Sequence, residues 1–258
     1  MNAIFQIARL QFLENVRRQV HLITLFMAFV LLLLPAYVNT FSLGLSAFEI
    51  VTKDFGLTLI SYYGVAMALL LGSSVVPRDI ERRTIYPVLS RPITRLSYLA
   101  GQFCGTTALL WLSLQALTFA LALGVSSLSR HFDVNLFWAG LGYCCECSVL
   151  VAACMCFSTI ASPPLAGVLG LFLYVTGGMS DAFIDFFLRE DRGATQLASM
   201  VSWLKNFVPN FEIFRLKYPV VHGLRIDPLY HPAELAYAGG WVGLFLMLAG
   251  IRFEKRDL

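Results

Sequence analysis

The sequence predicts an all-α polytopic membrane protein. It has six transmembrane helices, an N-terminal amphipathic interfacial helix, a charged cytoplasmic segment between spans two and three, and a long outer segment between spans five and six. Three observations predict this. The 258 residues are 58% hydrophobic and 14% charged, with a mean hydropathy of +0.71, where a soluble domain carries about 25% charged residues. Apolar runs of roughly 20 residues recur, each sufficient to cross a hydrocarbon core of about 30 Å. The basic residues are distributed unevenly between the two sets of loops. Short alternating segments of the kind that build a barrel are absent. The formal net charge of +3 is small and dispersed, so composition argues for contact with lipid headgroups and against nucleic-acid binding.

Residues 1–18 precede any spanning run. On a helical wheel Phe5, Ala8, Phe12, Leu13 and Val16 fall on one side, and Gln6, Glu14, Arg17 and Arg18 on the other. Ile7 and Leu10 interrupt the polar side. This reads as an interfacial helix lying on the membrane, with a frayed extension of the first span as the alternative. No short apolar core ends at a small-residue cleavage site, so the first span is expected to act as an uncleaved anchor.

The spans are expected at about 20–42, 57–76, 98–124, 136–161, 165–186 and 233–251. Leu43–Gly56, with Glu49, Lys53 and Asp54, reads as a short connection, and Ala161–Pro164 as a tight turn, because two prolines cannot continue a helix. Between spans two and three lies an island of charge, 77–97. Seven charged residues fall within Val76–Arg95, and Pro87 and Pro92 divide the stretch. The outer segment 187–232 is too long for a plain connection. Within it Leu197–Val208 reads as a short helix stopped by Pro209. Its aromatics, Trp203, Phe207, Phe211, Phe214 and Tyr218, suit the interface. The segment reads either as a gate or docking surface or as a compact cap over the helix ends.

Orientation follows from Lys and Arg near span ends. Eleven lie on the side of the termini and the island, against two, Lys53 and Arg130, in the short opposite loops, with six more spread through 187–232. Both termini and the island are therefore expected in the cytoplasm.

Catalytic motifs are missing. There is no G-x-x-x-x-G-K-[ST], H-E-x-x-H or nucleophile elbow, and His21, His131, His222 and His231 are scattered near span ends. The cysteines at 104, 144, 145, 147, 154 and 156 all fall inside spans, which argues against a disulfide framework. Cys144, Cys147 and Cys154 share a helix face, but no histidine is interleaved and no paired C-x-x-C occurs. Packing between membrane helices is the expected role. An ionisable residue inside a span is expensive and points to function. Glu146, near mid-membrane, is the leading case for a translocation path or a helix seam, and Gln115 in the third span is a weaker one. Asp181 and Asp185 share a face near the outer end of span five, where solvation is the simpler reading.

The island reads Glu81, Arg82, Arg83, Thr84, then Leu89, Ser90, Arg91, Pro92, Ile93, Thr94, Arg95, then Tyr98, Leu99 and Gly101, Gln102. In this order it resembles the island of the type-2 ABC export permeases. Arg83 and Gln102 stand where the family usually has Gly and Lys. Val208, Pro209, Asn210 and Phe211 are similar to the family's outer segment, and the layout of the whole chain agrees. The resemblance implies a single permease domain over 1–258 in a bacterial cytoplasmic (inner) membrane, working as a homodimer with two copies of a separate ATPase subunit. ATP and Mg would be bound by that partner, with no cofactor in this chain. It also implies that Arg78, Asp79, Glu81, Arg82, Arg83, Thr84, Arg91, Pro92, Thr94 and Arg95 form an ATPase-coupling segment, and that Trp203, Phe207, Pro209, Asn210 and Phe211 belong to an outer gate. Substrate would then move outward by alternating access. The alternative is a non-transporting scaffold that transmits ATPase strokes to a periplasmic partner; an intramembrane enzyme has only Glu146 and the cysteines behind it. The spans are lined by Leu, Phe, Ala and Gly with no charged pocket apparent, which favours lipid-like cargo over a highly charged solute.

Overall fold

Where no water reaches the backbone, each amide must be satisfied within its own segment, and the apolar runs accordingly become helices. The computed structural model describes residues 2–17, 20–40, 45–81, 94–129, 133–178, 208–224 and 229–254. Among the described residues there are eight helices and no strand: α1 (Asn2–Arg17), α2 (Val20–Asn39), α3 (Leu45–Glu81), α4 (Arg95–Ser129), α5 (Asn135–Ser158), α6 (Pro163–Gly178), α7 (Lys217–Val221) and α8 (Tyr230–Glu254), with a 3-10 turn at Phe211–Phe214. Five of them, α2, α3, α4, α5 and α8, are long and apolar enough to cross a membrane. The fifth expected span is represented by α6, whose 16 residues give about 24 Å of helix; residues 179–186 lie outside the described residues.

Two expected boundaries are corrected. Leu43–Gly56 is not a connection, because α3 already begins at Leu45. Lys53, the charge that argued for a loop, is neutralised inside the helical assembly, with Nζ 2.7 Å from Asp133 and 3.6 Å from Glu49. Pro163 and Pro164 do not form the turn but open α6, because proline at the first helical positions has no intrahelical N–H to lose.

The fold is organised around α5, 89% of which is buried, whereas α2 is only 22% buried. Small side chains allow this, since helices in lipid associate through close packing. A Cβ placed on Gly64 of α3 would stand 2.9 Å from Sγ of Cys147, and one on Gly72 would stand 2.9 Å from Cβ of Cys154. Gly170 of α6 is pressed against the same Cys154. Five of the six cysteines are buried; Cys104 is exposed.

The amphipathic reading of α1 is corrected in its facing. Ile7, which interrupted the polar side of the wheel, is a docking residue, while Phe5 and Leu10 are 72% and 67% exposed. The partner surface on α4 is a G-x-x-x-G pair: a Cβ on Gly101 would lie 2.8 Å from Cβ of Ile7, and one on Gly105 would lie 2.5 Å from the carbonyl of Ala8. Gln11 and Asn15 are buried in the same seam, where Nε2 of Gln11 reaches Oγ1 of Thr106 at 3.5 Å. Close approach of two backbones, rather than an apolar stripe, decides how α1 sits.

Contacts fix the direction of the helices. At one end of the bundle α1 lies on the first turns of α4, and Gly250 of α8 meets Leu96. Here α3 runs on to Glu81 and α4 opens at Arg95, so both flanks of the island and both chain ends lie together. At the opposite end Gly124 meets Pro35, Lys53 meets Asp133, and Gly177 meets Pro209.

Candidate functional site

At the island end, Arg78 donates from Nη2 to Oγ of Ser74 at 2.7 Å, one turn back along α3. Asp79 and Glu81 lie on the last turn of α3 and Arg95 opens α4. Thr94 precedes α4 and accepts from the backbone N–H of Ser97 at 3.3 Å, with their hydroxyls 2.7 Å apart, an N-cap arrangement. Arg82, Arg83, Thr84, Arg91 and Pro92 lie outside the described residues, as do Trp203, Phe207, Asp181, Asp185 and all but Val208 of the expected helix Leu197–Val208.

At the opposite end, residues 208–224 fold into the bundle. Pro209 is buried against Gly177 of α6. Asn210 caps the 3-10 turn, its side chain accepting from the backbone of Glu212 at 2.9 Å, while its own N–H donates to the hydroxyl of Tyr237 at 2.8 Å. Phe211 and Phe214 are completely buried, with ring centroids 5.4 Å from Tyr174 and 5.9 Å from Tyr237 respectively. Tyr230 ties the turn from α8 by donating to the carbonyl of Ile213 at 2.6 Å. Gly142 of α5 accepts the carbonyl of Phe214 in direct contact, and no larger residue fits between them. Of the expected gate residues, Pro209, Asn210 and Phe211 are therefore brought together in a plug held by three helices.

The plug delivers Arg215 to Glu146. Glu146 is fully buried, and Nε of Arg215 stands 3.8 Å from its Oε1. Nη2 of Arg215 donates to the hydroxyl of Tyr174 at 3.0 Å, and the guanidinium lies 5.5 Å over that ring. An isolated buried carboxylate is costly, and the plug's arginine stands close enough to supply a counter-charge to Glu146. Gln115 does not join it: its Nε2 lies 3.7 Å from Sγ of Cys144 and its Oε1 accepts from Thr118 at 3.3 Å.

Two features escaped the sequence reading. Glu234, which the expected boundary at 233 left at the rim of the last span, is 1% exposed. It faces His231, 3.5 Å away. The signal was present as a second acidic residue within an apolar run. The other is a polar cleft of about 180 Å³ lined by Thr58, Ser61, Tyr62, Tyr143, Tyr174, Arg215 and Lys217. This corrects the expectation that no charged pocket exists. Its cations come from the plug, not from the spans, and sequence distance hides their convergence. Burial would disfavour the charged form of Arg215, yet Tyr174 and Glu146 beside it hold its pKa above the ordinary value.

A buried helix core, helical flanks to a charged island and a plug at the opposite end make up the bundle, and the described residues hold no group of three or more His, Cys, Asp or Glu that could bind a metal ion. The family model described as "ABC-2 family transporter protein" matches residues 5–258. The chain belongs to the ABC-2 transporter family. It is thus a multi-pass membrane permease of an ABC transporter, a transport component whose family implies an ABC ATPase as partner. No curated protein matches the chain. In this ABC-2 permease the two flanks of the island stand at the end that carries the start of α1 and the end of α8, and the plug lies at the other.

Proposed function

We propose that this permease is the membrane-spanning subunit of an ATP-driven exporter, working as a homodimer with two ATPase subunits that bind ATP and Mg. The observation that carries the reading is the family match over almost the whole chain, joined to the position of the island between the two longest helices, α3 and α4. The ATPase docks on 77–97, both termini are cytoplasmic, and the plug faces the periplasm of a bacterial inner membrane. Movement of α3 and α4 is passed to α5 through the glycine contacts at 64 and 72, and alternately frees and seats the plug, so that cargo moves outward.

A second reading, a scaffold that passes ATPase strokes to a periplasmic partner, is favoured by one observation. Glu146, the best intramembrane candidate for cargo contact, is enclosed within the subunit and paired with Arg215.

Co-purification in mild detergent tests the common core of both readings. The wild-type complex is expected to retain its ATPase, and Glu81→Ala combined with Arg95→Ala is expected to lower ATPase association or stimulated hydrolysis while membrane insertion is preserved. Unchanged association and hydrolysis would remove the coupling role from the island. ATP-dependent release of a periplasmic partner, without passage of any solute, would select the scaffold.

A further inference from the structure

We propose that the cleft between α3, α5, α6 and the plug is a binding site for a phosphate group carried on a small headgroup. Four observations converge on it, and none depends on the direction of transport or on the ATPase.

First, the lining is rich in donors. Its seven residues are two cations and five hydroxyls, without a carboxylate. Arginine and lysine beside hydroxyls are the groups that hold tetrahedral oxyanions through charge-assisted hydrogen bonds. Second, the cations are positioned but retain open donors. Arg215 is aimed by Glu146 at Nε and by Tyr174 at Nη2, and its Nη1 has no hydrogen-bond partner among the described residues. Lys217 is held by Asp54 at 2.9 Å and by Thr58 at 2.6 Å, which leaves one of three ammonium protons for a ligand. Both side chains remain partly exposed, 39% and 32%.

Third, Tyr143 is 2% exposed and lines the cleft, so it adds a hydroxyl donor that the packing around its ring holds in place. Fourth, the volume of about 180 Å³ is below the roughly 300–1,000 Å³ of pockets that enclose whole drug-sized ligands. The cleft fits a phosphate with a short polar substituent and leaves any longer chain outside, where Tyr62, 67% exposed, flanks the opening.

The phosphate has two possible sources, a membrane lipid headgroup or a soluble phosphate ester. The full chain, purified in non-ionic detergent, is titrated with dihexanoyl phosphatidylglycerol, with glycerol phosphate, and with dihexanoylglycerol as the phosphate-free control. Saturable binding of at least one phosphate probe, and none of the control, is expected. Lipid-only binding identifies the membrane as the source; equal binding of glycerol phosphate identifies a soluble ester. Loss of one charge-assisted hydrogen bond in Tyr143→Phe, or of the cation in Lys217→Gln, is expected to weaken binding about ten-fold. Thermal exposure of the buried cysteine thiols checks that each variant is folded. Should Tyr143→Phe fail that check, Lys217→Gln decides, since its side chain is partly exposed. Absence of saturable phosphate binding, or binding unchanged in the folded variants, overturns the site.

Discussion

Glu146 stands eleven residues past the start of α5, and its counter-charge arrives from a segment 69 residues further along the chain. Removing one partner of such a pair leaves the other without compensation, which costs more than the pair itself contributes. Arg215→Ala is therefore expected to destabilise by about 1–3 kcal/mol, at the lower end because Arg215 is partly exposed. Adding Glu146→Gln should recover part of the loss, since the orphaned charge is then gone. The measurement is the temperature at which Cys144, Cys145, Cys147, Cys154 and Cys156 become reactive to a thiol dye; strictly additive effects would show that the two residues are uncoupled. At this scale the sequence was partly legible. An acid in an apolar run is visible as an anomaly, so Glu146 stood out. Arg215 and Lys217 sit among ordinary loop residues, and nothing local marks them as cleft-lining. Tyr143 was lost among aromatics that any span contains.

Helix identity was read well and helix facing less well. Apolar length locates a span, but a charge paired across helices, like Lys53 with Asp133, erases the boundary that hydropathy draws. A helical wheel ranks residues by polarity, whereas α1 docks by closeness of backbone. Gly105→Val tests this, because any side chain there meets the carbonyl of Ala8 at 2.5 Å and cannot be relieved by a rotamer. Amides of α1 should lose protection from hydrogen exchange by about ten-fold or more, the effect of roughly 1.4 kcal/mol of overpacking, while those of α5 keep theirs. Equal protection in both helices would show that α1 is held by other contacts.

For the molecule as a whole, the two ends of the bundle are expected to face different compartments. A cysteine introduced at Leu224 should react with a membrane-impermeant maleimide in intact cells, and one at Ser97 only after permeabilisation. The reverse pattern would invert the orientation and move the island away from any cytoplasmic motor. Native Cys104, exposed on α4, is changed to Ser in both strains so that the added thiol alone is read. The all-helical, multi-span character of the chain was legible because bilayer thickness leaves few solutions. The plug was legible only as one of two readings, a cap over the helix ends, since its burial depends on glycines at 142 and 177 that meet it only after folding.

The length of α3 has a mechanical meaning. Its 37 residues make a rod of about 55 Å, against a hydrocarbon thickness of about 30 Å, so it projects well beyond the lipid. Thr58 and Ser61 of the cleft and Arg78 at the island lie on this one rod, about 30 Å apart from Thr58 to Arg78. Pivoting such a lever by about 5° near its middle swings each end by about 2.4 Å in opposite senses, from its length. That is nearly the whole reach of a hydrogen bond, so a push at one end registers at the other as a grip taken or released.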